Sequence, residues 1–382
     1  MQKKLTIGID ASRAFAENPA GPEYYSWNLV RSIAKVDKQN QFVLYLRKGQ
    51  LPNFQLPRNF KARVIGLPYL WTQVGLAIET LLRPPSVLFV PAHTLPILTR
   101  ILRPHLPIVV TVHGLEGKFL PQSGNFLAHI YRNWSITWAV RLATRLIAVS
   151  QDTMSDIINT YHINTKKIEV VHEGVDFRKF SNFQFSIFKA QKIRQKYGIG
   201  KDPYVLFVGT VQPRKNLIRL IKAFAMVSQT KPKRAKIQLI IAGKLGWMYD
   251  KILKEPKRAG IEDRVKFIGR ISDQDLPLLY KEAEVFVLPS ITEGFGLPIL
   301  EAQAAGVPVV ASGRGAIKEV AGKGALFVNP ASTEDIARGL RTVLENRSLQ
   351  RQLVREGKLN SVKFSWDKAA CRTLKILRDL DR

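Results

Sequence analysis

The sequence predicts an α/β protein built of two doubly wound parallel-sheet domains that face each other across a cleft. Three observations carry that reading. Short β-branched runs alternate with helical stretches along nearly all 382 residues, the signature of parallel sheets wrapped by helices. Several of those runs, such as IQLIIAG from Ile237 and AEVFVLPS from Ala283, are apolar almost without interruption, which means burial on both sheet faces. The alternation occurs twice, on either side of an aromatic and polar stretch at 176–190 that has no clear period, and a chain of this length has room for two domains of ordinary size.

Taken in order, the first half is expected to hold strands at 5–10, 41–46, 62–67, 87–91, 108–112, 146–150 and 168–172. The second half repeats the grammar at 204–209, 237–242, 265–269, 285–289, 307–311 and 325–328. With the linker at 176–190, the domains are expected at 1–180 and 190–363. After the last strand, Ser332 and Asp335 stand at capping-box spacing before a 3.6-period apolar pattern. A final helix is expected to begin near Ser365, within a segment 364–382 that packs back toward the first domain.

Composition excludes several classes. Hydrophobic residues make up 46% and charged residues 23%, so the chain can bury a core and is neither disordered nor a disulfide scaffold. The single cysteine, Cys371, cannot form an internal disulfide and suits a reducing compartment. No apolar run reaches the ~18–20 residues that span a bilayer, and MQKKLTIGID passes from two lysines into a strand pattern; a cytoplasmic protein is expected. The net charge of +29 is the unusual feature. Residues 1–180 carry 22 basic and 11 acidic side chains, so the excess belongs to both halves and not to a tail. It implies attraction to polyanions, with a solubilising surface as the plainer account.

The densest chemistry is SITEGFGLPILEAQAAGVPVVAS at 290–312, at the carboxyl end of an expected strand, where open α/β sheets bind ligands. Gly294 and Gly296 allow close backbone approach, and Pro298 suits the first turn of a helix running to about Ala305. The N–H groups near Phe295, Gly296 and Leu297 are then expected to form an anion pocket. Glu293 precedes that helix and Glu301 is expected in its first turn, so two carboxylates suited to hydroxyl donors bracket a site for phosphate. A glycine-bounded helix start with a surface glutamate is the plainer alternative. In PYVLFVGTVQPRKNLIRLIKAF, from Pro203, a helix opening with Arg214 and Lys215 would place two cations at another strand end, where they neutralise a diphosphate. The P-loop pattern is absent.

These residues resemble a family. EGFGLPILE, from Glu293 to Glu301, is similar to the E-x7-E signature of the retaining, nucleotide-sugar-dependent glycosyltransferases of family 4, which have the GT-B fold with its two Rossmann-like domains. VGTVQPRKNL resembles the donor-phosphate turn, GIDASRAFAENPAGPEYYSWNLVRSI the amino-terminal glycine loop and helix, and VTVHGLE the first-domain histidine motif. AVSQDTMSDII, VVHEGVDFRKF and FSWDKAA follow in the family's order. The resemblance covers essentially the whole chain. It implies that Arg214 and Lys215 bind the donor diphosphate, Glu301 the ribose hydroxyls and Glu293 the hydroxyls of the transferred sugar, assisted by the backbone of Phe295, Gly296 and Leu297. Gly21 would let the first-domain loop approach the diphosphate, His113 would sit near the reacting sugar, and His93, in VPAHTLP, would face the acceptor. The chain departs from the pattern in Thr210 after Gly209, Asn216 at a common glycine position, and Pro22 and Glu23 after Gly21.

What the resemblance implies is a metal-independent transferase that retains anomeric configuration, with no cofactor beyond the nucleotide diphosphate sugar itself. GDP-mannose is the first expectation and a UDP-sugar remains open; the acceptor is a glycan or a lipid-linked glycan. No DxD pattern lies near the donor turns, and the six histidines lie singly in the first half. Two alternatives stand beside it: a nucleotide-sugar epimerase of the same fold, and a basic nucleic-acid-binding protein. Charge alone supports the latter, since no helix-turn-helix, RRM or zinc-finger pattern is present, and no nucleic-acid partner is expected. A last expectation concerns Tyr131, Trp134, Trp138 and Leu142, which share one helical stripe near Arg132, Arg141 and Arg145. Such a stripe either packs on the sheet or meets an anionic membrane surface; the charge favours peripheral attachment at the inner face of the cell membrane.

Overall fold

The computed structural model describes residues 4–17, 19–115, 126–181, 186–228 and 237–380. They form two compact units, one comprising Met1–Gly174 with Trp366–Arg382, the other Val175–Ser365.

In the first unit seven parallel strands lie in the order β3-β2-β1-β4-β5-β6-β7. They are β1 (Thr6–Asp10), β2 (Gln41–Arg47), β3 (Phe60–Ile65), β4 (Val87–Val90), β5 (Ile108–Val112), β6 (Arg145–Ala148) and β7 (Ile168–Val170). The central β4 and β5 are buried at every position, in keeping with sequences that are apolar except for Thr111, whereas the edge strand β3 is mostly open to solvent. Chain order reverses between β1 and β4, which are direct neighbours. The second unit repeats the pattern with six strands, β10-β9-β8-β11-β12-β13: β8 (Tyr204–Val208), β9 (Gln238–Ala242), β10 (Val265–Gly269), β11 (Val285–Leu288), β12 (Val309–Ser312) and β13 (Leu326–Val328). Its reversal falls between β8 and β11. All thirteen expected strands are present, with ends shifted by no more than two residues.

Three expectations need correction. The stretch 176–190 is not a bare linker: Phe177–Ser181 is a helical turn of the second unit, and the helix Ile187–Lys196 follows. Its anchor is Phe180, whose ring meets the edge of Tyr280 at 5.8 Å and is almost wholly buried. The domain boundary therefore lies at Gly174/Val175, not at 180/190; residues 182–185 lie outside the described residues. The helical pattern after β13 is two helices, Thr333–Glu345 and Arg347–Ser361, because Asn346 ends one and caps the next by accepting from the Leu349 N–H. The Ser332 hydroxyl accepts from the Asp335 N–H as expected, but the Asp335 carboxylate accepts from Asn329 N–H, so the capping box is half formed.

The last helix, Trp366–Asp379, belongs to the first unit and packs on the helix Gly21–Val36. Trp366 lies edge-on to Tyr24 and Tyr25, and Asp367 and Arg378 pair with Lys35 and Asp37. No helix among the described residues is long and apolar enough to cross a membrane.

Candidate active site

The strand reversal of the second unit explains why distant residues meet. β8 and β11 lie side by side and both point their carboxyl ends the same way. The turn after β8 and the loop after β11 therefore emerge together, and the Ile291 N–H bonds to the Arg214 carbonyl at 2.9 Å. Arg214 and Lys215 do not open the following helix as expected. They occupy a separate 3₁₀ turn, Pro213–Lys215, and the helix Leu217–Ser228 starts only after Asn216. Asn216 makes that break with a left-handed backbone, φ 62°. Asparagine is the residue that best tolerates this conformation after glycine, which accounts for its place at a common glycine position. Its side-chain amide also donates to the carbonyls of Pro289 at 3.0 Å and Pro330 at 2.6 Å, tying the turn to the β11 loop.

Within this frame Glu293 receives both cations. Arg214 Nη1 meets Oε2 at 2.5 Å and Lys215 Nζ bonds Oε1. Arg214 also donates to the Thr292 carbonyl at 3.2 Å. Burial alone would raise the Glu293 pKa, but Arg214 and then Lys215 outweigh it and hold the carboxyl at about 2. Glu293 and Lys215 are 8% and 7% exposed while Arg214 is half-buried, so the triad holds one net positive charge with its arginine reaching toward solvent.

The helix that follows, Leu297–Ala305, is capped by Gly296 at φ 102° with no capping side chain; only glycine adopts that angle without strain. Phe295 is buried and meets Phe364 edge-on at 6.0 Å. Glu301 lies in the second turn of this helix, not the first, and is not a surface residue. It is 6% exposed, and Tyr280 donates its hydroxyl to Oε2 at 2.8 Å. Burial raises its pKa to about 7, although the Tyr280 bond and nearby Lys179 pull the other way.

The remaining sequence-derived residues belong to the first unit. Gly21 opens the helix Gly21–Val36, and a Cβ there would meet no atom within 4 Å, so the unit's own packing does not demand glycine. His93 lies half-buried in the loop after β4. His113 directly follows β5, where its Nε2–H donates to the Pro91 carbonyl at 2.9 Å and Nδ1 stands 3.5 Å from Glu173. Tyr25 meets its ring edge-on at 4.6 Å. Glu116, the last residue of the histidine motif, lies outside the described residues. Sequence reasoning missed Tyr280 and Glu173. The first carried no signal, since it is one aromatic in a short helix; the second stood inside VVHEG, directly after a strand end. The structure brings Arg214, Lys215 and Glu293 into contact and sets Glu301 four residues into the adjoining helix.

A doubly wound pair of units with this glutamate-bearing loop defines the class. The sequence profile of the glycosyl transferases group 1 matches residues 189–360, and that of Glycosyltransferase Family 4 matches 20–179. The chain belongs to the family 4 glycosyltransferases and has their GT-B fold. Among relatives, it is 35% identical over 182 residues to O-antigen chain mannosyltransferase B of Escherichia coli, covering 48% of this chain and 47% of the relative. It is 32% identical over 246 residues to D-inositol 3-phosphate glycosyltransferase of Salinispora arenicola, covering 61% and 54%. The chain spans about half the length of the curated relatives it matches. Among solved structures, Anabaena HepE in complex with UDP and glucose superposes with a TM-score of 0.74 over 98% of this chain and all of that one, at 18% identity. WaaG, a glycosyltransferase involved in lipopolysaccharide biosynthesis, gives 0.73 at 16% identity, covering 98% and 99%.

Proposed function

We propose that the protein transfers a hexose, mannose first, from a nucleotide diphosphate sugar to a hydroxyl of a glycan or lipid-linked acceptor, with retention at the anomeric carbon. The observation that carries this reading is the Arg214–Glu293–Lys215 triad at the β8/β11 reversal. A diphosphate leaving group gains negative charge as the glycosidic bond breaks, and cations already fixed in place stabilise that charge without reorganising. Glu293 immobilises both cations, so its role in turnover includes positioning them as well as meeting sugar hydroxyls. Glu301 offers a carboxyl to the ribose hydroxyls, and the N–H groups of Phe295, Gly296 and Leu297, leading into its helix, serve the phosphates. From the first unit, Gly21 leaves space for the diphosphate, while His113, oriented by Pro91 and Glu173, and His93 serve the sugar and acceptor. The reaction needs no metal or other cofactor in this scheme and takes place in the cytoplasm. The mannosyltransferase relatives support mannose, and the HepE complexes with UDP and UDP-glucose keep a UDP-sugar as the second donor to test.

A panel of GDP- and UDP-sugars tests the donor by thermal shift, with slow release of free sugar as the chemical readout. Stabilisation by GDP-mannose, and loss of roughly 2 kcal/mol or more of transition-state stabilisation in Lys215→Ala, is the expected result. An unchanged kcat in that variant, or return of the donor as its epimer, would reject the scheme.

A further inference from the structure

Tyr131, Trp134 and Trp138 are exposed on the helix Phe126–Leu142, so the aromatic stripe seen in the sequence points away from the sheet. A different surface of the same unit is one-sidedly positive. Residues 24–69 hold eight basic side chains and a single acid, Asp37. Asp37 is turned inward: it is 2% exposed and accepts from Asn40 and from Arg378 of the last helix. Within this stretch the helix Gly21–Val36 and the loop between β2 and β3 border a cavity of about 410 Å³. Arg31, Lys35 and Lys38 line it from the helix side and Arg58 from the loop, around Ala34 and Phe54. No acid is among the described residues that line it.

Both ends of the loop are tied to neighbouring elements, so the cavity is held open by the fold. Trp27 donates its indole N–H to the Asn53 side chain at 2.7 Å, and Phe54 meets the rings of Trp27 at 6.5 Å and Phe15 at 6.0 Å. Next to Arg58, the Asn59 amide donates to the carbonyls of Asp37 at 3.1 Å and Asn40 at 2.8 Å, which fixes the loop against the turn that carries Lys38. Ala34 is buried one helical turn after Arg31, and its small side chain leaves room between the cations.

Local structure explains only some of these charges. Lys35 and Lys38 stand at the carboxyl end of the helix, where cations complement its dipole; Lys35 pairs with Asp367 at 2.5 Å and Lys38 donates to the Ala34 carbonyl. Neither role covers the two arginines. Arg31 lies over Trp27, its guanidinium carbon 5.1 Å from the ring centre, which holds the side chain without neutralising it. It also stands four residues before Lys35, a like-charge spacing that destabilises a helix. Arg58 is exposed and has no acidic partner among the described residues. Lys38 precedes β2 and Arg58 precedes β3, so the cavity lies at the amino ends of the strands, whereas Gly21, His93 and His113 follow carboxyl ends.

We propose that this cavity is a second anion site, separate from the donor site, that takes a soluble small molecule bearing two or more phosphate groups. Four cations around one concavity exceed what a carboxylate or a monophosphate neutralises, and the planar fork of arginine matches phosphate oxygens. A nucleic-acid strand is a poorer occupant, because single-strand sites stack successive bases and Phe54 alone is aromatic among the described lining residues. The site does not depend on the proposed transfer reaction, since none of its residues serves donor or acceptor there.

Titration calorimetry of the full chain with inorganic triphosphate tests it, at about 0.1 M salt so that distant charges are screened and with Lys215→Ala present to remove a cation of the donor site. One saturable site per chain is expected. Arg31→Gln with Arg58→Gln should weaken binding roughly tenfold or more and leave the melting temperature without triphosphate unchanged. Lys48→Gln with Lys61→Gln, exposed basic residues of the same stretch that do not line the cavity, should bind like the parent. No saturable binding, an arginine variant that binds like the parent, or an equal loss from the lysine pair would overturn the proposal. So would tighter capture of a single-stranded oligonucleotide, or of phosphatidylglycerol vesicles, through the same two arginines.

Discussion

At the scale of single residues, the two glutamates of one loop and helix have opposite electrostatic fates. Glu293 is buried against two cations and stays ionised; Glu301 is buried with the Tyr280 hydroxyl donating to it, and its carboxyl titrates near neutrality. A folded-state pKa of about 7 against an ordinary value of 4.5 means that the folded protein holds this proton more tightly than the unfolded chain does. The stability it contributes is complete below the ordinary value and is lost as pH rises through 7. Glu301→Gln removes that dependence. The variant should therefore gain on the parent by roughly 3 kcal/mol between pH 5 and pH 8, measured by urea unfolding at each pH. A gap that does not change with pH would show that Glu301 ionises in the folded protein as it does in solution.

At the scale of elements, the turn Pro213–Lys215 depends on the left-handed Asn216. Asn216→Ala combines backbone strain of about 1–2 kcal/mol with two lost bonds to carbonyls at about 1 kcal/mol each. Asn216→Gly loses only the bonds. Denaturant midpoints should therefore fall further for alanine than for glycine, and equal losses would remove the strain argument. This break is also where reading the sequence failed: apolar periodicity in NLIRLIKAF reports a helix but not that the two cations stand outside it. The strands were legible because a strand buried on both faces is a run of apolar residues, as in IQLIIAG. β3, an edge strand open to solvent, was placed two residues late for the same reason in reverse. Of the site, Glu293, Arg214 and Lys215 were legible from their positions after strands. Their direct pairing was not, because it depends on β8 and β11 being neighbours across 80 residues of chain. The side on which the Tyr131–Trp138 stripe lies was also hidden, since spacing shows that residues share a face and not which face is covered.

At the scale of the whole molecule, the chain passes from the first unit to the second after Gly174 and returns after Ser365. The Val175 N–H bonds the Phe364 carbonyl at 3.2 Å, so the two crossings run side by side. Truncation at Ser365 removes the buried Trp366, Leu374, Ile376 and Leu377, each worth roughly 1.5–3 kcal/mol of burial. Against a total stability of about 5–15 kcal/mol, the first unit should no longer melt cooperatively, while Val175–Ser365 keeps its own transition. Calorimetry of the truncated chain showing both transitions unshifted would contradict that. The same return helix has a consequence for biosynthesis. Trp366 is added 341 residues after its partner Tyr25 (366 − 25). At roughly 5–20 residues per second, the nascent first unit waits on the order of half a minute with that aromatic face uncovered. The intervening unit must fold on the ribosome before the one that began first is finished, so a stalled or prematurely ended message releases a product whose second half is sound and whose first half is a substrate for chaperones.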